Sequence, residues 1–215
     1  MELLRLFLTR RTCLAFSRQC RTQPFPAAEL EFDTSCASQW FVRSLGVIKC
    51  LRWQPPLSAK AFPFRATLFD RSPNSNWLVA WHQDTALPLR EKHEIAGWGP
   101  WSVKEGVTYA YAPAHALEQV VALRLHLDDS NEDNGPLRVL PGTQNHGVLS
   151  DEEIHLLSAE AAPIECCVGV GGVVLMRPLV IHGSSKAVSN EPRRVLHIEY
   201  APRARFDDGL ELATA

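Results

Sequence analysis

Three side chains in two short segments have the residue types of a metal site. His82 and Asp84 lie in the segment WHQD at 81–84, and His182 lies in the segment VIHG at 180–183. Two imidazoles and one carboxylate hold one face of an Fe(II) ion and leave the opposite coordination positions open. An H-x-D triplet arises easily by chance in a chain with eight histidines. The prediction therefore depends on the elements that position these residues and on what stands near them.

Strand geometry brings the first two ligands together. Side chains on a strand alternate between its faces, so a strand over 77–84 places His82 and Asp84 on the same face. His182 alternates with Val180 on a second predicted strand, far along the chain. If a closed barrel makes these strands neighbours, the fold encloses the ion.

A cation follows at a spacing that suits an acidic co-substrate. Arg193 lies eleven residues after His182, at the start of another predicted strand. In an iron site, the 2-oxo acid group of 2-oxoglutarate would occupy two open positions, and its far carboxylate would need a fixed cation. Arginine suits this role because its planar guanidinium pairs with a carboxylate through two hydrogen bonds. Arg194 has the opposite orientation and is expected in solvent or in a surface ion pair.

The remaining pattern predicts a β-rich fold. Alternating residues indicate strands over 63–69, 77–84, 119–128, 137–140 and 193–201, and a hairpin is predicted over 164–181 with its turn at Gly171-Gly172. Ser150 to Glu153 has the pattern of a capping box, which predicts a helix. Many short strands with Gly and Pro turns favour a mainly β fold with flanking helices, a double-stranded β-helix or cupin-like jelly roll.

We expect one domain over residues 1–215, because β-rich domains of this size often do not split. Residues 1–60 read as a helical and irregular lead-in, and residues 63–201 as the jelly-roll core. Residues 85–117 form an insertion in that core, and a loop of this length usually has a function such as covering a site. Its Trp98 and Trp101 are candidates for a lid over the substrate or for plain packing. Trp77 and Trp81 are expected in the core.

Four segments together resemble the phytanoyl-CoA dioxygenase family of Fe(II)- and 2-oxoglutarate-dependent oxygenases. They are WHQD at 81–84, NGPLRVLPGT at 134–143, HGSS at 182–185 and PRRVLHIEYA at 192–201, in the family's order and spacing. The resemblance implies that the iron ligands are His82, Asp84 and His182. It also implies that Arg193 binds the co-substrate and that Ser184 is a second co-substrate contact.

One position departs from the family pattern. Arg124 stands on the strand after the insertion, where family members often have Trp. Alternation places Arg124, His126 and Asp128 on one strand face. If that face points inward, Arg124 would contact the co-substrate or an anionic substrate. If it points outward, Arg124 is a strand-edge residue in solvent.

The resemblance implies an oxygenase that uses Fe(II), 2-oxoglutarate and O2 to hydroxylate a small organic substrate, with release of succinate and CO2. Two alternatives remain open. One is a metal-binding cupin-like barrel without turnover. The other is an iron halogenase, which Asp84 disfavours because a small residue replaces the carboxylate in such enzymes. The substrate does not follow from the fold, since one fold serves many substrates.

The composition, with 46% hydrophobic and 21% charged residues, is ordinary for a soluble globular protein. The formal net charge is −2, so no global field indicates nucleic acid or an acidic membrane as a partner. The six cysteines include no C-x-x-C pair, and we expect reduced thiols in a cytoplasmic protein. Five arginines in the first 22 residues resemble a mitochondrial targeting segment, but they scatter around a helical wheel, so a terminal helix or tail is favoured. The sequence does not indicate an oligomeric state.

Overall fold

The computed structural model describes residues 61–72, 75–206 and 208–214, which form three antiparallel sheets. The first sheet has the order β1 (Phe62–Arg71), β11 (Arg193–Ala201), β6 (Val121–His126) and β9 (Val173–Met176). The second has the order β2 (Val79–His82), β10 (Ile181–Ser184), β7 (Leu137–Leu140) and β8 (Ile164–Cys166). The third has the order β3 (Ala86–Leu89), β5 (Val107–Tyr111) and β4 (Trp101–Lys104).

Short helical segments connect the strands. They are α1 (Ala114–Leu117), α2 (Asp151–Glu160) and 3-10 turns at Glu132–Asn134 and Thr143–His146. The helix α2 begins at the predicted capping box, where the Ser150 hydroxyl accepts from the Glu153 N–H and the Glu153 carboxylate accepts from the Ser150 N–H. Among the helices that the structure describes, none is long and apolar enough to cross a membrane.

Pairing of distant strands closes the barrel. β1 pairs with β11 in the first sheet, and β2 pairs with β10 in the second. Two four-stranded antiparallel sheets, in which strands distant in the sequence are neighbours, form a double-stranded β-helix. The predicted fold class is therefore confirmed, and the strands predicted over 137–140 and 193–201 have those bounds in the structure.

The first sheet separates charged from apolar residues. On β11, the side chains of Arg193, His197 and Glu199 share one face by alternation, whereas Leu196 and Ile198 pack with leucines of β6 on the other. Every residue of β11 is buried. Because a buried charge is costly unless it is paired or solvated by polar groups, the charged face requires polar contents inside the barrel.

The hairpin predicted over 164–181 is wrong. β8 pairs with β7 in the second sheet, while β9 pairs with β6 in the first, so the chain crosses from one sheet to the other between them. The Gly171 N–H donates to the carbonyl of His126, and the His126 N–H donates to the carbonyl of Gly172. The glycine turn is therefore held against β6. Two glycines indicate that the chain turns, but not which sheet each arm joins.

The segment 85–117 is folded as a small sheet and helix, whereas the sequence suggested a long loop. Trp98 is 7% exposed, its ring centroid lies 5.4 Å from that of Phe206, and its Nε1 donates to the Asp208 carboxylate. Trp101 is partly buried at the edge of the same apolar cluster. Neither tryptophan is among the residues that line the cavity described below. That the segment acts as a lid stays a prediction.

Two predictions concern residues that the structure does not describe. The helical lead-in over 1–60 and the arginine-rich first 22 residues lie outside the described residues, as do four of the six cysteines. The single-domain prediction over 1–215 also stays a prediction. Of the described cysteines, Cys166 is buried and Cys167 is exposed.

Arg194 is buried, contrary to the expectation that it would lie in solvent or at the surface. It is 3% exposed, and Asp128 opposite it is 7% exposed. The Arg194 guanidinium donates Nε–H to Oδ2 and Nη2–H to Oδ1 of Asp128, both at 2.7 Å, and the Arg194 backbone N–H donates to Oδ2 at 3.0 Å. Asp128 lies two residues beyond the end of β6. Its side chain thus meets Arg194 and does not continue the face of Arg124.

This ion pair should contribute strongly to stability. Asp128→Ala leaves a buried guanidinium without its carboxylate, a change that costs roughly 3–5 kcal/mol in comparable buried pairs. As a control, Glu211→Ala removes the partner of Arg90 in a pair whose side chains are 39% and 64% exposed, and it should cost no more than about 1 kcal/mol. Urea unfolding of both variants measures the difference. Equal losses of unfolding free energy would contradict the prediction.

Candidate metal centre and its cavity

The pairing of β2 with β10 brings the three predicted ligands to one point. His82 lies directly opposite His182 in the register of the two strands, and their ring centroids are 4.2 Å apart. Asp84, two residues after His82, places Oδ1 3.6 Å from His82 Nε2 and Oδ2 3.4 Å from His182 Nε2. The three donor atoms all lie within 4.8 Å of one another, so they can bind a single metal ion.

Backbone carbonyls orient both imidazoles. His82 Nδ1 lies 2.8 Å from the carbonyl oxygen of Ala80, and His182 Nδ1 lies 2.9 Å from that of Val180. A proton on Nδ1 that is donated to a carbonyl leaves Nε2 with its lone pair free for a metal. In both histidines, Nε2 is the nitrogen that faces Asp84. The same local geometry thus prepares both rings as ligands.

The protonation states of the three groups suit a cation. Burial alone would raise the pKa of Asp84, but the hydrogen bond with His82 and the charges of the neighbouring histidines hold that pKa well below its usual range. Burial lowers the pKa of His182 to about 4. The hydrogen bond with Asp84 raises the pKa of His82. At neutral pH the site therefore offers an ionised carboxylate beside a deeply buried neutral imidazole.

A cavity of about 120 Å³ opens beside these ligands and is rich in arginine. The residues that line it from the first sheet are Arg65, Thr67, Phe69, Arg71, Arg124, Arg193 and His197. The residues that line it from the second sheet and its flanks are Trp77, Val79, His82, Asp84, Leu137, His182, Gly183 and Ser184. Three of the arginines are nearly inaccessible to water, with exposed fractions of 2% for Arg71, 7% for Arg124 and 5% for Arg193.

Arg193 has unused hydrogen-bond donors. Its Nε–H donates to the carbonyl of Asn134 at 3.2 Å, and within the described residues its terminal nitrogens have no hydrogen-bond partner. Burial, together with the charges of Arg71 and Arg124, lowers the pKa of Arg193 to about 9. A buried guanidinium with free donors and cationic neighbours is stabilised by an anion.

Arg71 donates hydrogen bonds to three segments that are far apart in the sequence. Its Nη2–H groups donate to the hydroxyl of Ser184 at 3.0 Å and to the carbonyl of Trp77 at 2.6 Å, and Nη1 donates to the carbonyls of Gly135 and Ser185. Gly135 adopts φ +66°, and a side chain there would collide with the Arg71 guanidinium. Arg71 is therefore solvated by neutral oxygen atoms, and no carboxylate among the described residues cancels its charge.

Arg124 points into the cavity, so the inward alternative for its strand face is the one observed. Its Nη1 lies 3.0 Å from Nδ1 of His197, and its guanidinium carbon lies 5.2 Å from the centroid of the Phe69 ring. The buried Nε has no hydrogen-bond partner. Burial lowers the pKa of Arg124 to about 10, and Asp84 opposes that shift. Arg124 thus lies close enough to the predicted metal ligand Asp84 for the carboxylate charge to raise the pKa of the guanidinium.

All the predicted ligands and polar contacts meet in this cavity: His82, Asp84, His182, Ser184, Arg124 and Arg193. Sequence reasoning missed Arg71, and it wrongly expected Trp77 in the core, since Trp77 lines the cavity and is 39% exposed. The signal for Arg71 was the alternation along β1, where every second residue from Arg65 lines the cavity. Alternation defines two faces, but the choice of the inward one depends on the pairing with β11.

The fold and the site together define a class: a jelly-roll barrel with a two-histidine, one-carboxylate metal centre beside a cationic cavity. The family model described as phytanoyl-CoA dioxygenase (PhyH) matches residues 53–195. The chain belongs to this family, which consists of Fe(II)- and 2-oxoglutarate-dependent oxygenases. The donor set fits the iron that the family uses, and the unneutralised arginines fit an acidic co-substrate.

Individual relatives cover part of the chain. L-Proline trans-4-hydroxylase of Streptomyces griseoviridis is 28% identical over 138 residues, or 52% of this chain and 51% of the relative. The chain thus spans about half the length of this curated relative. AviO1 of Streptomyces viridochromogenes Tue57 is 25% identical with a TM-score of 0.46, covering 66% of this chain and 51% of AviO1. EctD from S. alaskensis, solved with 2-oxoglutarate and 5-hydroxyectoine, is 16% identical with a TM-score of 0.48, covering 66% and 44%.

Metal binding should require the three ligands and should weaken in acid. A histidine must be neutral to coordinate, and the pKa of His82 is raised above 6.5 while that of His182 is lowered to about 4. As the pH falls through the raised pKa of His82, affinity should therefore drop by about tenfold per pH unit, because one proton competes with the ion. Calorimetric titration with Mn(II), and with Fe(II) without oxygen, measures both stoichiometry and slope.

The matched control for this titration is His93→Ala, which removes an exposed histidine outside the cavity. It should leave one ion bound per chain, whereas the His82→Ala, His182→Ala double variant should bind none. Unchanged stoichiometry in the double variant would show that the ion binds elsewhere.

Proposed function

We propose that this protein is an Fe(II)- and 2-oxoglutarate-dependent oxygenase that hydroxylates a small organic substrate, with release of succinate and CO2. One observation carries the proposal. A metal donor set and a buried arginine with unused donors, Arg193, line the same cavity. The donor set accounts for a metal, and the arginine accounts for an acid bound beside it. Neither feature alone would distinguish an oxygenase from a passive metal site.

In this proposal His82, Asp84 and His182 hold the iron. Iron with bound 2-oxoglutarate supplies the oxidising chemistry, while the protein supplies binding, orientation and electrostatics. Asp84 contributes a negative charge that the low pKa maintains at all physiological pH values. The carbonyls of Ala80 and Val180 keep both imidazoles in the tautomer that coordinates through Nε2.

Arg193 would bind the far carboxylate of 2-oxoglutarate, with Ser184 as a second contact. Arg193 begins β11, and Ser184 ends β10. Arg71 is a positioning residue in this arrangement, because it donates to the Ser184 hydroxyl and fixes the position of that oxygen. With its oxygen occupied as an acceptor, the Ser184 hydroxyl is free to donate its own proton to a carboxylate.

The first test is the affinity for 2-oxoglutarate. Arg193→Ala removes charge-assisted hydrogen bonds worth roughly 1.5–3 kcal/mol, so binding should weaken by about one to two orders of magnitude. Metal affinity should change little, because the ligands are untouched. Calorimetry on Mn(II)-loaded protein measures both.

Arg138→Ala is the control for this test. Arg138 lies on β7, beside β10 in the second sheet, but its guanidinium carbon lies 4.8 Å from the Trp81 ring centroid and the residue does not line the cavity. It should leave the affinity for 2-oxoglutarate unchanged. If Arg193→Ala binds 2-oxoglutarate as tightly as Arg138→Ala does, the assignment of Arg193 fails.

A second test follows the reaction. Small organic compounds, with L-proline included because of the named relative, are incubated with the iron-loaded protein, 2-oxoglutarate and O2. Mass spectrometry should show a gain of one oxygen in one compound together with succinate, and both should disappear in His182→Ala. A metal-binding barrel without turnover would release no succinate with any compound. A halogenase would add halogen in place of oxygen, an outcome that Asp84 disfavours because a small residue replaces the carboxylate in such enzymes.

A further inference from the structure

Among the residues that the structure describes, those lining the cavity keep a net positive charge even when Fe(II) and 2-oxoglutarate are counted. Arg71, Arg124 and Arg193 each contribute one positive charge, and Asp84 contributes one negative charge. Fe(II) and doubly ionised 2-oxoglutarate cancel each other, so two positive charges remain with both bound. His82 and His182 are neutral when they coordinate the ion. His197 is buried with its Nδ1 3.0 Å from Nη1 of Arg124, a contact that disfavours a second positive charge there.

The fourth arginine of the cavity does not alter this balance. Arg65 lines the cavity and forms an ion pair with Glu199, whose side chain is 2% exposed. The two charges cancel. Arg194 likewise pairs with Asp128 on the other face of the first sheet. The uncompensated charge therefore belongs to Arg71, Arg124 and Arg193.

Arg124 has the donors to bind an additional anion. The Phe69 ring lies against its guanidinium, 5.2 Å from centroid to carbon, and His197 occupies Nη1. Its buried Nε and its Nη2 have no hydrogen-bond partner within the described residues. These two nitrogens form one edge of the planar guanidinium, which is the edge that pairs with both oxygens of an acidic group.

We infer that the substrate is a small organic anion and that its carboxylate or phosphate group pairs with Arg124. The inference rests on the proposed function, because it assigns the substrate to the part of the cavity that iron and 2-oxoglutarate would not occupy. Phe69 and Trp77 would contact the carbon skeleton of such a substrate, since both line the cavity and are still 36% and 39% exposed. Arg193 and Ser184 remain with the co-substrate.

The test measures binding, without turnover. Mn(II)-loaded protein is saturated with N-oxalylglycine, a two-carboxylate analogue of 2-oxoglutarate, and then titrated with matched acids and amides. The pairs are L-proline with L-prolinamide, isovalerate with isovaleramide and benzoate with benzamide, and phenyl phosphate is added to distinguish a phosphate from a carboxylate. At least one acid should bind at least tenfold more tightly than its amide.

The variants assign the preference to one residue. Arg124→Gln should weaken binding of the preferred acid by about ten- to a hundredfold, leave its amide unaffected and change the N-oxalylglycine affinity by less than threefold. Arg124→Lys, which keeps the charge, should recover part of the loss. Arg138→Gln is the control, since that arginine lies outside the cavity, and it should behave as the wild type.

Three outcomes would overturn the inference. The first is that no acid binds more tightly than its amide in the wild type, a result that does not depend on any variant folding. The second is that Arg124→Gln keeps the acid preference. The third is that Arg124→Gln weakens N-oxalylglycine as much as the acid, which would assign Arg124 to the co-substrate. A wild type that binds no N-oxalylglycine at all would instead contradict the proposed function and the inference together.

Discussion

The antiparallel pairing of β2 with β10 is the constraint on which the site depends. It sets His82 directly opposite His182, so two residues a hundred positions apart are placed where they can bind one ion. The strands approach so closely that a side chain at Gly183 would place its Cβ 2.9 Å from the carbonyl oxygen of Val79. Glycine after the distal histidine is therefore a packing requirement. Asp84 reaches the same point because it lies two residues after His82.

Function and stability pull against each other inside the first sheet. Burying a cation without a carboxylate costs stability, and this barrel does so at Arg71, Arg124 and Arg193. The apolar cluster on the far face of the sheet and the one formed by residues of β6, β7, β8 and β9 offset that cost. Arg194 differs from these three arginines. It is adjacent to Arg193 in the sequence but pairs with the carboxylate of Asp128. Arg194, which does not line the cavity, is paired with a carboxylate, whereas the three buried arginines that line the cavity have no carboxylate partner among the described residues.

Much of the fold and of the candidate site could be predicted from the sequence. Period-two alternation predicted β11 and placed His82 and Asp84 on one strand face, since both follow from local chain geometry. His182 and Arg193 were identified instead from their residue types, their spacing and the resemblance to the family. The partners of β8 and β9 could not be predicted, because a turn does not specify which sheet its arms join. Arg71 was missed for a similar reason: its role comes from oxygen atoms of three distant segments. Trp77 was misplaced because large aromatic residues suit a core and a cavity equally well.

The contacts of Arg71 also couple parts of the chain that are far apart in sequence. Its guanidinium is solvated by oxygen atoms from the segment before β2, from Gly135 and from the turn after β10. If any one of these segments opened by itself, a buried cation would lose part of its solvation. Local fluctuations at the base of the cavity are therefore costly, and these segments should exchange their amide hydrogens as one cooperative unit. A single side chain thereby sets the rigidity of the surface on which an acid would rest.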